Sequence, residues 1–144
     1  MLYIGIDTGT NTGFAVWDNR KREFLAVSCL KIHQAMKEVE RYKAQCEETG
    51  TKLCVRVEDA RKRDWFGEPM TREKERAKLQ GVGSVKRDCS IWEDYLEDLG
   101  VDFQMVAPKN VATKMKADPF KGITKWPERT NEHGRDAAML VFGF

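Results

Sequence analysis

The stretch Leu2-Tyr3-Ile4-Gly5-Ile6-Asp7-Thr8-Gly9-Thr10-Asn11-Thr12-Gly13-Phe14-Ala15-Val16 constrains this chain more than any other. An apolar run ends in a carboxylate, small turn-forming residues follow at once, and a second apolar run begins. The first run reads as a buried strand and residues 8–12 as a tight connection. Asp7 is then expected at the carboxyl end of a central strand, where an ionised group without a partner is costly. Something cationic has to meet it. No Lys or Arg precedes Arg20, so a metal ion, or a metal carried by a phosphate, is the economical partner. A capping role within the turn is the alternative.

Further along, residues 14–17 and 24–29 are apolar and β-prone, and the polar segment 18–22 joins them as a hairpin turn. Ile32, Met36, Val39, Tyr42 and Cys46 follow at helical spacing, with Gly50 as a stop. Residues 53–57 read as a fourth strand that also ends in acid, Glu58-Asp59. A loop rich in Arg and Lys covers 60–70, with Trp65-Phe66-Gly67 at its tip. Residues 71–99 form a long helical stretch with Val85, Cys89, Trp92, Leu96 and Leu99 along one seam. That seam can serve as core or as a dimer interface, and core is preferred. Gly81 and Gly83 interrupt it; glycine inside a helix costs about 1 kcal/mol against alanine. Close backbone approach, to another element more than to a ligand, is the expected reason.

Residues 101–106 give a fifth strand, and Pro108 suits the first turn of a short helix holding Val111 and Met115. Residues 118–128 read as irregular. Asn131 caps a last helix from Glu132 to about Phe142. The order β-β-β-α-β-α-β-α implies an α/β fold, a five-stranded mixed sheet flanked by helices. At 144 residues one domain is expected. No apolar run approaches the roughly 20 residues of a membrane span, the start shows no basic region ahead of an apolar one, so no signal peptide is expected, and the four scattered cysteines read as reduced thiols. A cytoplasmic location follows as an expectation.

Charge is unevenly spread. Residues 61–87 hold nine Lys/Arg against four Asp/Glu, and residues 105–135 hold seven against three. Between them, residues 88–102 hold six acids and no base. One face for polyanions is the functional reading of that pattern, and ordinary solvated surface is the plain one.

Asp7 and Glu58 end strands, and Asp136 lies in the first turns of the last helix. His133 and Asp136, three apart, share a helix face with Ala137 and Leu140, which are suited to lie on the sheet. Three carboxylates meeting in one place repel each other, and divalent cations resolve the repulsion; oxygen ligands suit Mg²⁺ or Mn²⁺. Two such ions roughly 4 Å apart can clamp a phosphodiester in an in-line displacement. Separate capping roles for His133 and Asp136 are the alternative. Asp59 rivals Glu58, which is preferred because it directly follows the apolar strand.

The opening Ile4-Gly5-Ile6-Asp7-Thr8-Gly9-Thr10 with Thr12-Gly13-Phe14-Ala15-Val16 resembles the first strand pair of RuvC-type Holliday junction resolvases, in the RNase H-like superfamily. Val55-Arg56-Val57-Glu58 resembles their second acidic strand, and Leu79-Gln80-Gly81-Val82-Gly83-Ser84 is similar to their glycine-containing helix. His133-Gly134-Arg135-Asp136-Ala137-Ala138 resembles their closing acidic helix. The resemblance implies an RNase H-like fold with Asp7, Glu58 and Asp136 as ligands of two Mg²⁺ ions, Asp7 bridging them. It also implies His133 as a further ligand or as an aid to the attacking water. A homodimer that nicks two like strands of a four-way DNA junction is implied as well. Members often carry an aromatic residue soon after the second acid; here Arg61-Lys62-Arg63 come first, so Trp65 or Phe66 is expected to stack on opened bases or, alternatively, to anchor the loop. Phosphate contacts are expected from Arg61, Lys62, Arg63, Lys86, Arg87, Lys109, Lys114 and Lys116. Rival readings are another RNase H-like nuclease, a junction-binding protein without catalysis, and an actin- or sugar-kinase-like ATPase, suggested by Asp7-Thr8-Gly9-Thr10.

Overall fold

The computed structural model of the chain describes residues 1–62, 71–108 and 114–144, apart from the Lys78 side chain. Its centre is β1 (Leu2–Asp7), which pairs with β2 (Thr12–Asp18) antiparallel on one side and with β4 (Leu53–Glu58) parallel on the other. β3 (Glu23–Leu30) extends the antiparallel half, and β5 (Asp102–Val106) extends the parallel half. The sheet runs β3-β2-β1-β4-β5. A strand covered on both faces must be apolar nearly throughout, and Leu2, Ile4, Gly5 and Ile6 are all buried. The expected mixed sheet of five strands is the one observed.

Alternation with period two separates the faces. Ile4, Ile6, Phe14, Val16, Val55 and Val57 point to one side. There they meet Ala35, Val39, Tyr42 and Cys46 of α1 (Ile32–Thr49), and Trp92 and Leu96 of α2 (Arg72–Leu99). Ala15, Trp17, Val27 and Val106 point to the other side, against Phe120 of α3 (Ala117–Thr124) and Ala137 and Ala138 of α4 (Glu132–Met139). The tyrosine hydroxyl of Tyr95 ties α2 to α1 by donating to the Met36 carbonyl at 2.9 Å. No described helix is long and apolar enough to cross a membrane.

Helix ends follow the sequence signals. Gly50 and Gly100 close α1 and α2 in the left-handed conformation at φ 66° and 67°, where glycine carries no Cβ penalty. The Asn131 side chain accepts from the Gly134 amide at 2.9 Å and starts α4.

Three expectations need correction. Val111 lies outside the described residues, and Met115 stands in no helix; the helix of this region is α3. Pro119 fits the first turn of α3, where a missing N–H costs nothing, and buried Phe120 anchors the helix to the sheet. α4 ends at Met139 rather than near Phe142. Beyond it, tighter bonds from the Leu140 and Val141 amides to the Ala137 and Ala138 carbonyls turn both side chains into the core. Finally, Gly81 and Gly83 do not sit against another described element: a Cβ on either would meet nothing within 4 Å. The seam does turn inward at Cys89, Trp92 and Leu96, which are core. The first turns of α2 instead stand in solvent, with Leu79 at 61% exposure.

Candidate functional site

Asp7 ends β1 and faces the α4 side of the sheet, because its neighbours Gly5 and Gly13 lie under that helix. The contact is close enough to need glycine. A Cβ on Gly5 would come within 2.0 Å of the Ala137 carbonyl oxygen, and one on Gly13 within 1.9 Å of that of His133. Two absent side chains thus let the helix backbone rest on the strands. Small Ala137 and Ala138, both fully buried, complete the fit.

The seating brings the first turn of α4 onto the end of β1. His133 Nδ1 lies 3.0 Å from Asp7 Oδ2, and the Asp7 side chain is 13% exposed. An ionised carboxylate only accepts, so the proton of this bond belongs to Nδ1, and in the neutral ring Nε2 is left as an acceptor. That nitrogen stands 3.9 Å from Glu132 Oε1. One helix turn on, burial pushes the Asp136 carboxyl above its ordinary value, and the charge of Asp7 pushes it further; Lys114 and His133 act against both. Asp7, His133 and Asp136 therefore form one electrostatic unit.

Glu58 joins the same side by register. Ile6 is the partner of Val57, so the next residues, Asp7 and Glu58, end adjacent parallel strands on one face, strands that lie about 4.8 Å apart. Arg56, two residues back, confirms the face by donating from Nε to the Leu140 carbonyl at 2.8 Å. The strand end is held from below, where the Thr8 hydroxyl donates to the Glu58 carbonyl at 3.3 Å and stands 3.4 Å from Cys89 Sγ.

Asp59 takes the opposite direction and a different role. It is 1% exposed, and Arg61 donates to both its oxygens, from Nε at 2.8 Å and from the other arm at 2.9 Å. Burial raises the Asp59 carboxyl, but these bonds and the Arg61 amide outweigh burial and hold it below its ordinary value. Arg61 also pairs with Glu93 at 2.7 Å. The guanidinium expected on phosphate is thus engaged within the fold, joining the end of β4 to α2.

The remaining basic residues are dispersed. Lys62 donates to the Met105 carbonyl at 2.6 Å. Arg87, Lys114 and Lys116 are exposed and Lys86 half-buried. Of these, Lys114 acts on the acid cluster, through Asp136. Arg63, Trp65, Phe66 and Lys109 lie outside the described residues.

Sequence reasoning missed what Arg135 does, although it stands between two quoted motif residues. Its guanidinium donates to the Met115 carbonyl at 2.7 Å and to the Thr130 carbonyl at 2.9 Å, fastening the segment that carries Lys114 to α4. Long polar side chains inside a motif are the signal that was available.

Three carboxylates and an imidazole are a hard donor set of the kind that divalent magnesium or manganese takes. As the side chains stand, no three His, Cys, Asp or Glu among the described residues are gathered as a metal-holding group. The donor chemistry fits such an ion, and positive charge beside Asp136 would relieve its repulsion with Asp7. The fold and cluster together define an α/β protein with an acidic site at the carboxyl ends of two parallel strands. The chain matches no family of known proteins and no curated protein sequence.

Proposed function

We propose that this chain is a divalent-metal-dependent nuclease of the RNase H-like, RuvC type, which nicks branched DNA, with four-way junctions as the substrate and a homodimer as the working form. The observation that carries the reading is the meeting of Asp7, His133 and Asp136, with Glu58 on the neighbouring strand, at one end of the sheet. Asp7, Glu58 and Asp136 come from the beginning, middle and end of the chain, and they coincide with the motifs that carry the resemblance.

In this reading Asp7, Glu58 and Asp136 hold Mg²⁺, which supplies charge to stabilise the phosphorane-like transition state and the departing 3′ oxygen. The chain's own residues do the rest. Asp7 fixes the ring of His133 and its tautomer, so that Nε2 faces outward as a proton acceptor for the attacking water. Buried Ala137 and Ala138 keep the cluster on a rigid support. Lys114, beside Asp136, adds positive charge on the side from which a phosphate arrives.

The ATPase reading loses its second phosphate loop. The only other D-x-G, Asp98-Leu99-Gly100, closes α2, with the Gly100 amide bonded to Leu96 and Glu97 carbonyls. Cleavage of an RNA–DNA hybrid remains the second reading, because the same cluster serves either phosphodiester.

The test is an Mg²⁺-dependent cleavage assay on a four-way junction, a fork, a linear duplex and an RNA–DNA hybrid, run beside Asp7→Asn. Preferential nicking of the junction, abolished in the variant, is the expected result. Cutting of the hybrid alone moves the assignment to a ribonuclease. Undiminished cleavage by Asp7→Asn ends it.

A further inference from the structure

A concave surface lies on the far side of the α4 entry from the acids. It is a groove of about 490 Å³ between the end of β3 and the segment leading into α4, lined by Val27, Ser28, Cys29, Arg129, Thr130 and Asn131 among others. Its place in the sheet is fixed by register. Asp7 pairs with Gly13, and Gly13 pairs with Cys29. Directly opposed residues point the same way, so Cys29 shares the face of Asp7, two strands and about 10 Å away. Only the first turn of α4, lying over Gly13, separates groove from acid cluster.

The groove is suited to an anion that also makes hydrogen bonds. Arg129 at its wall is exposed and engages no described hydrogen-bond or ion-pair partner. Arg135, which also lines it, is held by Met115 and Thr130 carbonyls. The acids near it in sequence, Glu128 and Glu132, are solvent-exposed. β3 is the outermost strand, so alternate backbone amides on its free edge are donors without a strand partner. Thr130 adds a hydroxyl.

We propose that this groove holds the phosphodiester backbone of the nucleic-acid strand next to the phosphate that is cut, with Arg129 as its counter-charge. The inference rests on the nuclease reading and deepens it: one strand crosses the α4 entry, with the reacting phosphate at Asp7 and a neighbouring one at Arg129. Arg129 is a positioning residue in this scheme and touches no reacting atom.

Cys29 makes the groove observable. It is the one half-exposed cysteine, since Cys46, Cys54 and Cys89 are buried. The experiment measures alkylation of Cys29 by N-ethylmaleimide, read by mass spectrometry, in EDTA, with and without a synthetic four-way DNA junction. The same protein is assayed for junction binding across salt concentrations and, with Mg²⁺, for cleavage. Expected are protection of Cys29 in proportion to the fraction bound, and for Arg129→Ala a slope of log affinity against log salt reduced by about one, as for one lost phosphate contact. Arg129→Lys restores the slope. If wild-type protein binds and cuts the junction while Cys29 alkylates at its free rate and Arg129→Ala keeps the full slope, the groove assignment falls and the nuclease reading stands. If wild-type protein neither binds nor cuts, both fall.

Discussion

Asp136 and Asp59 are two carboxylates of one small protein pushed in opposite directions, and the difference lies in what each can hydrogen-bond. Asp136 is raised by burial and, further, by the like charge of Asp7. Folding therefore favours its protonated form: that contribution is full below the unfolded value of about 3.9 and is lost as pH rises through the raised one. In metal-free buffer Asp136→Asn is expected to melt at a higher temperature than wild type at pH 7, with the gain closing as pH falls towards 3. Thermal melts across that range check the sign. Asp59 is lowered by Arg61, so its contribution is present above about pH 3.9 and lost as pH falls through the depressed value. Arg61→Ala leaves a buried carboxylate without its cation and is expected to cost about 3 kcal/mol at pH 7. Urea titration measures it, and the deficit should narrow in acid as Asp59 takes up a proton. Glu58 was preferred to Asp59 in the sequence because it directly follows the apolar strand and because the resemblance agrees; Arg61 as the partner of Asp59 is a contact two residues away that no periodicity reports.

At the level of elements, the glycines divide by what stands above them. Gly13 lies under the His133 carbonyl, whereas Gly83 has nothing within 4 Å. Gly13→Ala drives a methyl group into backbone that no rotamer can move, and a loss of at least about 1–3 kcal/mol is expected, together with cleavage activity, since His133 is displaced. Gly83→Ala removes only the entropic penalty of glycine in a helix and is expected to stabilise by up to about 1 kcal/mol. Paired denaturation curves for the two variants decide whether the signs differ. The strands and the two long helices were legible because apolar periodicity and terminal glycines agree along them. α3 was not, because two prolines and a glycine between residues 118 and 128 read as loop; the buried ring of Phe120 and the place of Pro119 in the first turn outweigh that local signal. The early end of α4 was equally hidden, being set by the burial of Leu140 and Val141 against the sheet.

Across the whole molecule, the sheet changes from antiparallel to parallel pairing at β1. The ends of β1 and β4 therefore open on the same edge as the start of β2, and α4 crosses that edge. This is why Asp7, Glu58 and the first turns of α4 that carry Asp136 lie at one pole. Their types and order could be read from the sequence, and so could the helix face shared by His133 and Asp136. The groove at Cys29 and Arg129 could not, because it depends on register across three strands. The seat beneath α4 has a consequence for sequence drift. Side chains around the acid cluster can be exchanged for others of similar size, since repacking absorbs small misfits. The two bare positions at Gly5 and Gly13 allow no such bargaining: what the helix rests on is missing matter, and a lineage that fills either place has to lift the helix and surrender the pole beneath it.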